Sequence, residues 1–87
     1  MMNRETVKEG DLVMYRFPLT TGGEGLLLRR VIDVVFEGVV CKGGLTGKGN
    51  TAPWDMIYPV PADYPDRFTP RQEADRWEKE YLKNNPK

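Results

Sequence analysis

The stretch Gly43 to Thr51, GGLTGKGNT, sets glycines, a Gly-Lys pair and a threonine in close succession. These are the residue types with which a phosphate-binding loop wraps its backbone N–H groups around a nucleotide. The spacing does not fit that chemistry. A loop of that kind needs a glycine, four free positions, then Gly-Lys and a hydroxyl residue, yet the residue five before Gly47 is Lys42 and Gly43 is one position short. Gly49 stands where the magnesium-binding hydroxyl belongs, and NTAPW follows where a helix belongs. The stretch is expected to be a mobile glycine-rich loop without nucleotide affinity, in which Lys48 could touch a partner's carboxylate or phosphate.

Other catalytic chemistries are equally short of parts. Cys41 is the single cysteine and the chain has no histidine, so an internal disulfide, the usual zinc constellations and a histidine-activated thiol are all excluded. Cys41 follows Val39 in an apolar alternation and is expected in the core. Asp33 and Glu37 belong to a solvated strand face rather than to an acid/base pair. No catalytic residue, metal or cofactor is assigned, and an enzyme is not expected.

Charge narrows the partners. Lysine plus arginine equals aspartate plus glutamate at 13 each, for a net charge of zero, which argues against duplex DNA or an anionic membrane as partner. Arg29, Arg30, Lys42 and Lys48, with Tyr15, Phe17 and Trp54, could still present a basic and aromatic surface to single-stranded nucleic acid. The interleaved Glu24, Asp33, Glu37 and Asp55 count against it. Trp54 and Trp77 read either as buried anchors or as contact residues for another protein.

The elements that must position these residues follow from periodicity. In EGDLVMYRF, Gly10-Asp11 turns into a strand whose Val13, Tyr15 and Phe17 share an apolar face. Pro18 and the loop PLTTGGEG end it. LLLRRVIDVVFE, Leu26 to Glu37, alternates as a long central strand: Leu28, Ile32, Val34 and Phe36 share a face with Arg30, and Ile32, Val34 and Phe36 are expected in the core beside Val13, Tyr15 and Val39. Glu37-Gly38 reads as a tight hairpin into VVCK. The prolines of APWDMIYPVP limit the last strand to about Met56 to Tyr58.

After ADYPD the chain becomes polar. In FTPRQEADRWEKEYLKNNPK, Thr69 is expected as N-cap, Pro70 at the first helical position, and Gln72 as the partner in a capping box. Ala74, Trp77 and Tyr81 form one narrow stripe by which the helix should dock, Trp77 packing on the sheet or on a second copy, with Arg71, Glu78 and Asn85 in solvent.

A Gly-Asp turn into LVMYR, a glycine-containing loop, a long strand ending in a tight hairpin, another loop and then PWDMIYPV together resemble the Src-homology-3-like small β-barrels, a superfold that includes Tudor-type modules. The resemblance spans about Val7 to Val60. It implies a mainly β fold, a small barrel of about five strands over residues 1–65. The long glycine loop at Gly43 to Asn50 and the helical tail depart from the generic barrel; the C-terminal α-helical extension, residues 66–87, is expected from its own sequence to pack on the barrel as part of a single domain. The resemblance also implies binding in place of catalysis. The expected function is a small protein-binding module, in the style of accessory or inhibitor proteins of bacterial or phage origin, with nucleic-acid binding as the alternative. The candidate binding residues are Arg29, Arg30, Lys48, Trp54, Tyr58, Trp77 and Tyr81. Another protein is the expected partner; nucleotide and membrane are not. Charged residues in MMNRETVKEG and the lone cysteine point to a cytoplasmic location.

Overall fold

The alternating segments form strands, and the expected hairpin joins the long strand to the next. The structure, a computed structural model of the chain, describes residues 2–43, 45 and 50–86. Its strands are β1 (Leu12–Pro18), β2 (Glu24–Val35), β3 (Gly38–Cys41), β4 (Thr51–Pro53) and β5 (Ile57–Tyr58), with a 3₁₀ turn at Trp54–Met56 and helix α1 at Arg71–Asn84. The five strands form one antiparallel sheet in the order β4-β3-β2-β1-β5. The fold is mainly β with one C-terminal helix.

β2 serves both halves of this sheet. Leu12–Pro18 pair with Glu24–Arg30, and β3 pairs with Val31–Val35. Between the two halves the register slips between Val31 and Asp33, a bulge that bends the strand and inserts one unpaired residue. That bulge overturns the expected core. Before it, Leu27 and Val31 share the inner face with Val13, Tyr15 and Phe17; after it, the inner position falls to Val34, opposite Val39. Val31 is 1% exposed, whereas Ile32 is 44% and Phe36 77% exposed. A strict period of two carried through the whole strand assigns Ile32 to the core because it cannot see the inserted residue, and Phe36 is exposed for a different reason: β2 ends at Val35 and Phe36 stands in the turn. Val34, Val13, Tyr15 and Val39 do belong to the core or pack against it.

The inner face also buries Val7, Cys41, Leu45, Ala52 and Ile57. Leu45 lies within the stretch expected to be a mobile loop, and it is anchored in the core; Gly44 and Thr46–Gly49 lie outside the described residues. Gly38 fits only because it lacks a side chain: a Cβ there would overlap the Ala52 carbonyl on β4.

Part of the outer face is buried as well, which the alternation of β1 did not announce. Met14 and Arg16 are 0% and 2% exposed. Part of this face lies under α1 and the segment before it, where Leu26, Tyr64, Ala74 and Trp77 line a common cavity. Arg16 tolerates burial because Glu24 takes it in a bidentate pair, Nε to Oε2 and Nη2 to Oε1 both at 2.8 Å. This pairing holds the guanidinium pKa above its ordinary value despite the burial.

Helix α1 starts differently from expectation. Pro70 is the N-cap residue and no side chain caps the helix. The Thr69 hydroxyl instead bonds Asp66 Oδ1 at 3.2 Å, in a turn where the same oxygen accepts the Phe68 N–H at 2.8 Å. An aspartate three residues upstream therefore takes the hydroxyl that the capping box required. Arg71 and Asn85 are exposed as expected. Glu78 is half-buried instead, and its Oε1 accepts the Leu26 N–H of β2 at 3.2 Å.

Candidate functional site

The turn Phe36–Glu37 between β2 and β3 places an aromatic ring at the tip of a hairpin, where no neighbouring strand can cover it. Trp54 holds that turn from the 3₁₀ segment. Its backbone N–H donates to Glu37 O at 3.3 Å and its indole N–H donates to Phe36 O at 2.9 Å. Trp54 is itself half-buried against the core cluster, so the turn is fixed to the sheet.

The N-terminal segment closes the other side. Asn3 and Thr6 exchange hydrogen bonds, Asn3 N to Thr6 Oγ1 at 3.1 Å and Thr6 Oγ1 to Asn3 O at 3.0 Å, while Asn3 Oδ1 accepts the Glu5 N–H at 2.9 Å. Val7, 2% exposed, ties the segment to the core. Asn3, Arg4, Glu5, Phe36 and Trp54 thereby line an open concavity of about 360 Å³, with the Arg4 guanidinium 6.0 Å from the Phe36 ring centroid. An exposed phenylalanine beside an anchored tryptophan, with an arginine and a glutamate at the rim, has the composition of a protein contact centre.

The candidate residues named from sequence fall in separate places. Trp54 belongs to this concavity. Tyr58 lies on β5 opposite Met14, with the Arg16 guanidinium 5.5 Å from its ring centroid. Trp77 and Tyr81 stack on α1 at 5.2 Å and 16°, and Tyr64 meets Trp77 edge-on at 5.0 Å and 68°. Arg29 donates to Leu28 O at 3.0 Å and Arg30 to Gly10 O at 2.6 Å. Both guanidinium groups thus support backbone carbonyls, and neither lines the Trp54 concavity. Lys48 lies outside the described residues.

Sequence reasoning missed Phe36 and Arg4. Phe36 was legible in principle: if the tight turn begins at residue 36, one position before the expected Glu37, the phenylalanine moves from strand to tip. Arg4 has no sequence signal.

Burial favours the neutral forms of the thiol and phenol groups of the interior. Burial pushes the Cys41 thiol up, with the positive field of Arg29 opposing it, and a raised thiol is a poor nucleophile. Burial likewise raises the phenols of Tyr15 and Tyr64. Among the described residues, no group of three or more His, Cys, Asp or Glu side chains is placed to hold a metal ion, and no helix is long and apolar enough to cross a membrane.

Compared with protein-family models, with curated proteins and with solved structures, the chain matches none.

Proposed function

We propose that this chain is a small non-enzymatic protein-binding module of Src-homology-3-like barrel type, which contacts its partner through the concavity between Phe36 and Trp54. The observation that carries the reading is the Phe36 ring, 77% exposed on a turn that Trp54 fixes with two hydrogen bonds. An apolar ring held in water by a rigid support gains free energy when a partner covers it, and little ordering entropy opposes that step. The bulged β2, paired with β1 in one half and β3 in the other, supports the barrel part of the reading, because closing a small sheet needs strands that bend.

Salt dependence tests the partner class. A complex made through an aromatic centre keeps its affinity between about 50 and 200 mM salt, whereas a complex made through phosphate contacts loses orders of magnitude over that range. A steep loss with salt would replace the protein-binding reading with the nucleic-acid one.

A further inference from the structure

We propose that the cleft beside Trp77 and Tyr81 on helix α1 receives an arginine side chain of a partner protein. It is distinct from the Phe36 concavity and shares no lining residue with it.

The cleft has a volume of about 290 Å³, and Asp63, Trp77, Glu80, Tyr81 and Asn85 are among its walls. Two aromatic side chains line it. Trp77 and Tyr81 stand one helical turn apart as near-parallel rings, 5.2 Å between centroids. The orientation of Trp77 is fixed from two sides: its indole N–H donates to Asp63 Oδ2 at 2.9 Å, and the Tyr64 ring meets it edge-on. The platform is therefore built before any ligand arrives.

The rim carries negative charge and acceptors. Asp63 and Glu80 supply carboxylates, and Glu80 has no ion-pair partner among the described residues. The Asn85 amide nitrogen donates to Tyr81 O at 2.9 Å, leaving its side-chain oxygen to accept. No cationic side chain lines the cleft among the described residues.

π faces beside unneutralised carboxylates attract a cation and repel carboxylate and phosphate groups. Guanidinium suits this geometry better than ammonium, because it is planar, stacks on aromatic faces and directs several N–H donors outward in its plane. A stacked Trp77–Tyr81 pair with carboxylates beside it offers that combination at an outward ring face, whereas a compact ammonium would use the charge and not the plane.

The test is a ¹⁵N NMR titration of the full chain with N-acetyl-arginine amide, with N-acetyl-citrulline amide as the uncharged isostere. The Trp77 indole signal is identified with a Trp54→Phe variant. The expected result is a saturable shift of the Trp77 indole and Glu80 signals at millimolar arginine derivative, absent with citrulline. Glu80→Gln should weaken it by roughly two- to fivefold, the range of one exposed ion pair. Equal shifts with citrulline, an unchanged affinity in Glu80→Gln, or stronger shifts of the same signals with a deoxythymidine oligonucleotide would each overturn the assignment. Because the readout is local to Trp77, it is independent of whether Phe36 binds a protein.

Discussion

Glu78 on helix α1 accepts the backbone N–H of Leu26 on β2 at 3.2 Å, joining two residues 52 positions apart. The contact lies on a strand edge that would otherwise be open. β3 pairs with β2 only at Val31–Val35, with Lys42 N reaching Arg30 O just beyond, so Glu24–Arg30 have no neighbouring strand on that side among the described residues. Glu78 takes the Leu26 donor there, and the Arg29 guanidinium takes the Leu28 carbonyl. Side chains thus occupy two of the groups that a foreign strand would use, one of the ways native sheets protect their edges.

Glu78→Ala should therefore lower stability by about 1 kcal/mol through the loss of one hydrogen bond, and should raise the tendency to associate through the uncovered edge. Glu78→Gln, whose amide oxygen still accepts, should retain most of both properties. Urea midpoints and light scattering read the two effects. Equal behaviour of Glu78→Ala and the natural chain in both would mean that the helix does not guard β2.

The bulge between Val31 and Asp33 makes a paired prediction. Val31→Ala, in a position 1% exposed, should cost about 2–3 kcal/mol from lost burial and the cavity left behind, whereas Phe36→Ala, 77% exposed, should stay within about 0.5 kcal/mol. Thermal melts of the two variants decide it. The reverse order of stabilities would put Phe36 in the core and Val31 outside it, against both the register and the turn.

Gly38→Ala should unfold the chain, because the added methyl overlaps the Ala52 carbonyl and approaches Pro53 Cα at 3.0 Å, both of them backbone atoms that cannot rotate away. Gly25→Ala is the milder control: there the nearest atoms belong to the Phe17 ring, which can shift at the cost of some core packing. Circular dichroism at ambient temperature separates an unfolded from a weakened chain. A folded Gly38→Ala would show that β3 and β4 lie further apart than described.

Alkaline pH should weaken the fold. The Cys41 thiol and the Tyr15 and Tyr64 phenols all have folded pKa values raised by burial above their ordinary 9.0 and 10.0, so the folded chain holds these protons more tightly than the unfolded one. Stability is then complete below about pH 9 and falls as pH rises through 9 and 10 towards the raised values, because unfolding releases protons. Urea unfolding at pH 7, 9 and 10.5 checks the sign. A midpoint that rose with pH in this window would contradict the burial of these groups.

Much of this architecture can be read from the chain. Val13, Tyr15 and Phe17 alternate without interruption, and β1 forms as they indicate. The change from strand to helix after ADYPD is a change of period and composition, visible without coordinates. What escaped was set by long-range geometry. No local pattern marks the residue at which β2 must bend to serve two partners, so the bulge turned Ile32 outward, while the turn that begins just after Val35 did the same for Phe36. The burial of Met14 and Arg16 depends on what covers the second face of the sheet. The candidate aromatics were found because tryptophan and tyrosine are rare and large. Their division into a Trp54 site and a Trp77 site depends on the docking of α1, which nothing in either segment alone specifies.

The most direct test of the Phe36–Trp54 site compares the natural chain with Phe36→Ala as immobilised baits in the same native-host extract, once equal melting temperatures have been established. A protein should be retained by the natural chain at both low and high salt, and bound by Phe36→Ala roughly thirtyfold more weakly, the loss expected for a contact centre of about 2 kcal/mol. Retention of that protein equally by both baits would contradict a contact role for Phe36.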